Sequence, residues 1–194
     1  MRIVGGKWCG RRVEAPSGRD VTRPTTDRVR ESMSSMVMSA CGLDLSGVAV
    51  LDAFAGSGAI GLELLSRGAE RATLVDTDRK TGALLRRNVE SVGAGRQARV
   101  MTGDVFRLAS RGRLAGAPFG IVALDPPYAT EASRVSALVD DLMDAGLLTD
   151  GALVLYERAS GRPCLEPTHP FEVVKQKRYG TTCVDLLRVG RELS

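Results

Sequence analysis

The sequence predicts an α/β protein built on a doubly wound, mostly parallel sheet of seven strands, with an antiparallel hairpin at its C-terminal end. Two observations predict this fold class. From residue 48 onward, apolar runs typical of buried strands alternate with segments of helical spacing, which favours a parallel sheet covered on both faces. The last two strand-like runs are separated by a short turn, which indicates an antiparallel pair. The 194 residues are enough for one such domain with a small appendage.

Each element of this sheet region follows from its local pattern. Aliphatic runs predict strands at residues 48–54, 71–75, 98–102, 119–124, 152–156, 171–177 and 183–189. Apolar residues at helical spacing predict helices at residues 59–65, 80–92 and 132–145. Residues 105–116 are expected to hold a short helix or a basic loop.

The first 24 residues have a different character. They are rich in glycine, arginine and proline and contain only short apolar pieces, so they suggest a small β-hairpin or arm rather than a core element. Residues 24–26 then mark a helix start, and apolar residues recur at helical spacing as far as Ala40. We therefore divide the chain into an N-terminal extension, residues 1–24, and a main domain, residues 25–194.

Composition narrows the class of protein. The chain is 43% hydrophobic and 26% charged, which is ordinary for a soluble globular protein. Asp52 and Glu63 interrupt the best candidate for a membrane span, and residues 1–7 lack the apolar segment of a signal peptide, so we expect a cytoplasmic protein without a membrane partner. Four scattered cysteines and a single histidine argue against a zinc site, and we expect no metal.

The net charge of +4 is concentrated at the N-terminal end. Residues 1–31 hold eight basic and four acidic side chains, which accounts for the whole net charge of the chain. A basic arm on a neutral body predicts contact with a polyanion, and nucleic acid is the natural candidate. The alternative is a solvated, flexible tail.

A glycine-rich turn follows the first predicted strand. Gly56, Gly58 and Gly61 satisfy the pattern G-x-G-x-x-G, which permits a tight turn and lets backbone N–H groups approach a ligand at a helix N-terminus. Asp76 ends the second strand, 20 positions after Gly56, where a carboxylate can accept hydrogen bonds from ribose hydroxyls. The motif fits NAD as well as other nucleosides, so it leaves the ligand open by itself.

Acidic residues at four successive strand ends favour a cationic nucleoside. Asp52, before the glycine turn, would repel a diphosphate but attract the amino group of S-adenosylmethionine. Asp104 ends the third strand, where its carboxylate can accept from the adenine N6 amino group while the Val105 N–H meets a ring nitrogen. The fourth acid is Asp125. Each of these acids alone could instead be a helix N-cap.

The tetrad Asp125-Pro126-Pro127-Tyr128 follows the fourth predicted strand. Two successive prolines cannot continue a sheet ladder, and they fix φ, so the backbone after the carboxylate is rigid. A carboxylate, exposed carbonyls and an aromatic ring then meet at one strand end. This combination suits a planar substrate that bears an NH₂ group. The alternative is a proline-stiffened turn with a surface tyrosine.

Four segments of the chain together resemble one known family. They are residues 2–8 (RIVGGKW), 23–31 (RPTTDRVRE), 52–58 (DAFAGSG) and 125–128 (DPPY). The glycine turn resembles that of the class I S-adenosylmethionine-dependent methyltransferases, which have a Rossmann-like fold, and the tetrad resembles that of members acting on amino nitrogens. The first two segments narrow the resemblance, over nearly the whole chain, to the RsmD family of 16S ribosomal RNA guanine-N2 methyltransferases.

The resemblance implies three sets of site residues. The catalytic set, which would hold the target amine, is Asp125, Pro126, Pro127 and Tyr128. The cofactor-binding set is Asp52, Phe54, Gly56, Ser57, Gly58, Asp76, Thr77, Asp104, Val105 and Asp125. The RNA-binding set is Arg2, Lys7, Trp8, Arg11, Arg12, Arg23, Thr25, Arg28 and Arg30. Trp8 could stack on a base or anchor the arm to the body of the protein.

The resemblance also implies a substrate and partners. The cofactor would be S-adenosyl-L-methionine, and the target would be N2 of the nucleotide that the family calls guanine 966. The partner would be small-subunit ribosomal RNA within an assembling 30S particle, and the enzyme would act as a monomer. Two positions depart from the family pattern, because Asp76 stands where glutamate is common and Cys9-Gly10 replaces a basic residue followed by glycine.

Three other hypotheses about the function remain open at this point. An adenine-N6 DNA methyltransferase would share the tetrad and the glycine turn, but the chain has no segment long enough for a separate DNA-reading domain. A non-catalytic ribosome-assembly factor could retain the cofactor fold. An NAD oxidoreductase fits least, since no proton-transferring side chain is placed for it.

Overall fold

Seven strands and five helices make up the computed structural model of the chain, which describes residues 1–16 and 27–190. The strands are β1 (Ala49–Asp52), β2 (Arg71–Asp76), β3 (Ala98–Thr102), β4 (Phe119–Leu124), β5 (Leu148–Ala159), β6 (Phe171–Tyr179) and β7 (Thr182–Val189). The helices are α1 (Asp27–Ala40), α2 (Ala59–Ser66), α3 (Arg79–Ser91), α4 (Val105–Ala109) and α5 (Ala132–Asp144), with a 3₁₀ turn at Gly6–Trp8. None of the helices in the described ranges is both long and apolar enough to cross a membrane.

All seven strands belong to one sheet, in the order β3-β2-β1-β4-β5-β7-β6. Strands β1 to β5 run parallel, and β7 is antiparallel to both β5 and β6. The predicted fold class is therefore confirmed. Strand β5 is longer than predicted at both ends. It begins at Leu148, which pairs with Phe119 of β4, and its last three residues pair with β7 as far as Ala159 opposite Thr182, a partner 23 residues further along the chain.

Both faces of the central strands are buried, and alternate residues of each of these strands face opposite sides. In β4, Ile121 and Ala123 pack in one apolar cluster with α1, α2 and α3, while Val122 and Leu124 pack in the other with α4 and α5. Because neither face meets water, the central strands read as continuous apolar runs in the sequence. The sequence pattern alone therefore located them well.

The N-terminal segment forms a small hairpin-like loop, as predicted, but its apolar residues pack into the core, which the sequence did not predict. Ile3, Trp8 and Val13 are buried in the same cluster as α1 and α2. A single antiparallel bridge joins Arg2 to Arg12, and the 3₁₀ turn lies between them. The short apolar pieces are too sparse in the sequence to predict a core element, but in the structure the loop packs each of them against the main domain. The proposed domain boundary, at residues 24 and 25, lies outside the described residues.

The third glycine of the motif lets helix α2 pack tightly on the sheet. A Cβ atom at Gly61 would lie 2.4 Å from Leu74 Cδ2 in β2 and 3.2 Å from the Asp52 carboxylate oxygen. The N–H of Gly61 also donates to that carboxylate at 3.0 Å. Close helix–strand packing is the expected role of this position in a nucleotide-binding turn.

We therefore predict that Gly61→Ala destabilises the protein. Although alanine favours helix formation, the added methyl group overpacks the contact with Leu74, and such overpacking costs roughly 1–3 kcal/mol. Urea denaturation followed by circular dichroism measures this free energy of unfolding. The matched control is Gly95→Ala, where a Cβ atom would meet nothing within 4 Å. Equal stability of the two variants would contradict the packing role.

Candidate active site

The candidate site lies where the strand order reverses. The chain leaves β1 towards β2 on one side, while β4 and β5 lie on the other, and ligands of such sheets bind beyond the carboxyl ends of the strands at this point. A cavity of about 310 Å³ opens here, within the usual range for small-molecule sites. Its lining includes eight of the ten predicted cofactor residues, namely Phe54, Gly56, Ser57, Asp76, Thr77, Asp104, Val105 and Asp125.

Asp76 holds the glycine turn in place. Its carboxylate accepts the N–H of Gly56 at 3.0 Å through one oxygen and the N–H of Asp78 at 2.9 Å through the other. Gly56 has φ +52°, in the left-handed region that glycine tolerates, and the space where its Cβ would lie is open. Each carboxylate oxygen retains a lone pair, so Asp76 can accept from a ligand while it supports the loop.

Asp52 and Gly58 do not line the cavity. Gly58 begins α2 with φ +79°, and a Cβ there would lie 2.8 Å from Leu85 Cδ2. Asp52 is fully buried beneath the glycine turn, where it accepts from Gly61. The sequence predicted that the Asp52 carboxylate faces a cationic ligand. In the structure this carboxylate lies behind the glycine turn, which separates it from the cavity.

Burial raises the pKa of Asp52 to about 7. Loss of water around the carboxylate is the main cause, and the negative charges of Asp125 and Asp76 add to it. The hydrogen bond from Gly61 opposes the shift by favouring the charged form. Three acids thus share the carboxyl ends of three adjacent strands, and this part of the sheet is adapted to positive rather than negative charge.

The far end of the cavity lies beyond β3. Asp104 caps α4, with one carboxylate oxygen accepting the Phe106 N–H at 2.9 Å, so the capping role considered from the sequence is present. The rings of Phe54 and Phe106 lie 5.8 Å apart, and the Arg134 guanidinium sits 4.1 Å from the centre of the Phe106 ring. Sequence reasoning missed Phe106, because nothing local distinguishes it from a core residue.

The tetrad lies directly after β4 and joins two cavities. Asp125 and Pro127 line the large cavity and also a shallow second one, which Pro126 and Tyr128 share. The N–H of Thr130 donates to the Pro127 carbonyl at 2.8 Å and closes the turn. Tyr128 is 51% exposed, so its ring is available to a partner from solution.

Two arginines support the second cavity from the end of β5. Arg162 donates to the Tyr128 carbonyl at 2.8 Å and forms an ion pair with Glu131 at 3.3 Å. Arg158 pairs with the buried carboxylate of Asp185 and also lines this cavity. These contacts span more than 25 residues of sequence, and no motif pointed to them.

The structure separates the predicted RNA-binding residues into three groups. Arg23 and Thr25 lie outside the described residues. Exposed side chains are Arg2, Lys7, Arg11, Arg12 and Arg28. Trp8 and Arg30 are only 7% and 1% exposed, and this burial favours a packing role over RNA contact for both side chains. For Trp8, packing in the core cluster agrees with the alternative, an anchor for the N-terminal segment.

Two polar contacts dock the N-terminal segment beside the cavity. The buried carboxylate of Glu63 accepts the N–H groups of Val4 and Gly5 at 2.7 and 2.8 Å. The Asn88 side chain bonds both backbone groups of Glu14 and also donates to the carbonyl of Ser57 in the glycine turn. As a result, residues from this segment form one wall of the cavity, namely Met1, Ala15 and Pro16.

Comparisons with known proteins give a consistent result. The family model described as "Conserved hypothetical protein 95" matches residues 1–188. The chain is 38% identical over 157 residues to "Ribosomal RNA small subunit methyltransferase D" of Escherichia coli K12, covering 81% of this chain and 74% of that protein. It is 30% identical over 188 residues to "Putative rRNA methyltransferase YlbH" of Bacillus subtilis, covering 97% and 98% of the two chains. A solved Escherichia coli structure, "Putative methyltransferase yhhF", superposes with a TM-score of 0.78 at 34% identity and 97% coverage of both chains.

We predict that titration of Asp52 makes the protein less stable as the pH rises. Between the ordinary pKa of 3.8 and about 7, the unfolded chain has lost this proton while the folded chain keeps it, so the free energy of unfolding falls across this window. Asp52→Asn removes the titration, and the variant should gain roughly 2–4 kcal/mol relative to the native protein between pH 4 and pH 8.

Denaturant unfolding at a series of pH values measures this difference. The matched control is Asp150→Asn, which alters an exposed carboxylate and should follow the native pH profile. Parallel profiles for the Asp52→Asn variant and the native protein would show that Asp52 is already charged at pH 4 and would contradict the prediction.

Proposed function

Because this chain belongs to the RsmD family of S-adenosylmethionine-dependent methyltransferases, we propose that it methylates the exocyclic N2 of a guanine in small-subunit ribosomal RNA. The observation that carries the proposal is the position of Asp125-Pro126-Pro127-Tyr128 at the join of two cavities. One cavity has the size and the acidic lining that suit a nucleoside cofactor. The other is open to solvent beside an exposed tyrosine.

The residues of the larger cavity fit S-adenosylmethionine. Asp76 would accept from the ribose hydroxyls, while Asp104 and Val105 would meet the adenine edge near the two phenylalanine rings. Three acids line this cavity, against one cationic side chain, Arg30, and the α-amino group of Met1 in its described lining, so a diphosphate would meet net negative charge there. When bound, the cofactor supplies a methyl group made electrophilic by its sulfonium centre.

The tetrad would activate and orient the target nitrogen. The exocyclic amine of guanine is a poor nucleophile, because its lone pair is delocalised into the ring. Asp125 and the Pro126 carbonyl would accept the two N–H bonds, which favours a pyramidal nitrogen and stabilises the positive charge that develops on it. No strong base is required, since the methylated nitrogen is acidic and loses its proton afterwards. Tyr128 would stack on the face of the unstacked base.

The carboxylate of Asp125 favours guanine over adenine. Guanine presents two adjacent donors, N1–H and the N2 amino group, and a carboxylate can accept from both. Adenine presents a donor beside an acceptor, which an asparagine side chain matches better. We accordingly place the proposed target among guanines, at the position that the family calls 966.

The proposed partner is ribosomal RNA in a partly assembled small subunit. Five exposed basic side chains remain for RNA phosphates, on the N-terminal segment and the first turn of α1. We expect the enzyme to act as a monomer in the cytoplasm, where this substrate is assembled.

Methyl transfer from labelled S-adenosylmethionine tests the proposal directly. The substrates are undermodified small subunits, their naked RNA and unmethylated duplex DNA, and the modified nucleoside is then identified. We expect N2-methylguanosine from ribosomal RNA. N6-methyladenine from DNA would overturn the proposed substrate, and cofactor binding without transfer to any of the three would indicate a non-catalytic assembly factor.

We predict that Asp125→Ala lowers methyl transfer by about 10³-fold, because the developing charge on the target nitrogen loses its main acceptor. Affinity for S-adenosylhomocysteine should stay nearly unchanged, since the other acids of the large cavity remain. Single-turnover transfer and calorimetric titration measure the two effects separately. Asp150→Ala, which removes an exposed carboxylate, is the control. Full transfer by the Asp125→Ala variant would remove this residue from the mechanism.

A second prediction concerns the basic surface. Arg12→Ala should weaken RNA binding, and the slope of log affinity against log salt concentration should fall by roughly 0.7 to 0.9 for each phosphate that the side chain neutralises. Fluorescence anisotropy of a labelled RNA hairpin at several salt concentrations measures this slope. Arg96→Ala, an exposed arginine on a loop of the main domain, should leave it unchanged. An identical slope in both variants would exclude Arg12 from the RNA contact.

A further inference from the structure

We infer that Arg30 binds the carboxylate of the methionyl group of S-adenosylmethionine, which would make this buried guanidinium the anion site of the cofactor cavity. The inference deepens the proposed function and rests on it. Nothing in the sequence pattern indicates this role, since Arg30 belongs to a basic run that predicts contact with RNA.

Arg30 is buried yet incompletely bonded. Its side chain is 1% exposed, and it lines the large cavity. Nη1 donates to the Arg2 carbonyl at 3.0 Å, and Nη2 bonds the carboxylate of Asp27 one turn earlier in α1. Nε has no hydrogen-bond partner, and among the described residues it is the one buried side-chain nitrogen or oxygen in that condition. An unsatisfied N–H on a buried cation costs stability, so a ligand that accepts from it would gain affinity.

The contacts around Arg30 place it at the methionyl end of the cavity. Its Nη1 partner, Arg2, is next to Met1, and Ser57 of the glycine turn donates to the sulfur of Met1 at 3.4 Å. The guanidinium therefore lies beside the turn after β1. Asp104, which would meet adenine, lies beyond β3, two strands away along the same edge of the sheet. A nucleoside whose base lies at that end would extend its other end towards Arg30.

Charge matching identifies the group that Arg30 would hold. The described lining contains the carboxylates of Asp76, Asp104 and Asp125, and Arg30 is its one cationic side chain. S-adenosylmethionine carries two positive centres, the sulfonium and the amino group, and a single negative one, the carboxylate. The acidic lining as a whole suits a cationic ligand. The carboxylate would find positive charge only beside Arg30 and the α-amino group of Met1, which also lines the cavity. Guanidinium and carboxylate groups also match in shape, because Nε–H and an Nη–H can donate to the two oxygens together.

A chemical comparison of two ligands tests this site by binding alone. S-adenosylhomocysteine carries the carboxylate, and its decarboxylated form keeps the adenosine, the thioether and the amino group. The native protein should bind S-adenosylhomocysteine about 10- to 100-fold more tightly, the range expected for a hydrogen-bonded charge pair. In Arg30→Met that preference should fall to about threefold or less, with affinity for the decarboxylated ligand nearly unchanged.

Arg86→Met is the matched control, because it removes an exposed arginine from a helix outside the cavity and should leave the preference intact. Arg30→Lys keeps the charge but lacks the Nε donor, and its preference should fall at least severalfold. If Arg30→Met does not fold, comparison of the Arg30→Lys variant with the native protein tests the inference.

Three results would overturn the inference while leaving the proposed function in place. The first is equal affinity of the native protein for both ligands. The second is an unchanged preference in the Arg30 variants. The third is an equal loss of affinity for both ligands in those variants, which would indicate a structural role only. A native protein that binds neither ligand would instead contradict the proposed function itself, and the inference with it.

Discussion

The buried carboxylate of Glu63 is the contact on which the arrangement around the cavity depends. It is fully buried in α2, immediately after the glycine turn, and a charge in that position must be satisfied by partners. Two of its partners are the N–H groups of Val4 and Gly5, and the third is Arg67 at 2.9 Å. This fixes the first residues of the chain beside the helix that carries the cofactor turn. Met1 then reaches Ser57, and the Arg2 carbonyl reaches the guanidinium of Arg30. The carboxylate of Glu63 thus positions a wall of the site whose first residue, Met1, lies almost 60 positions earlier in the chain.

A second set of contacts docks the same N-terminal segment on α2. A Cβ atom at Gly6 would lie 1.9 Å from the Ser66 carbonyl oxygen, so only glycine permits the backbone to approach α2 this closely. Ser66 in turn accepts the N–H of Trp8 at 2.9 Å and donates to the Gly5 carbonyl at 2.6 Å. Lys7 lies 4.4 Å from the centre of the Trp8 ring and donates to Gln97 at 2.7 Å. Lys7 and Trp8, which the family resemblance assigns to RNA binding, therefore also help to dock this segment on the main domain.

The charges at the site follow from the geometry of the parallel sheet. Parallel strands bring their carboxyl ends to one edge, and here three of them end in acids. Burial is the main cause of the raised pKa of Asp52, and the charges of Asp125 and Asp76 add to it. Such a cluster is costly without compensating charge. A cationic ligand would relieve the repulsion, and Arg30 supplies the opposite charge at one end of the cavity. The site is therefore organised around a charge pattern rather than around any single catalytic group.

Patterns among neighbouring residues in the sequence determined the sheet and the turns after its strands, which line the cavity. Strand and helix periodicity depends on near neighbours, and so do the glycine turn and the proline-stiffened tetrad. The sequence alone therefore located β1 to β4, and eight of the ten predicted cofactor residues line the cavity. The tertiary structure decided which charged side chains turn inward. Arg30, Asn88 and Arg162 take their contacts from partners 28, 74 and 34 residues away, and Phe106 lines the cavity with Arg134 of α5 against its ring. Burial of a polar side chain depends on such distant contacts, and a linear pattern does not contain them.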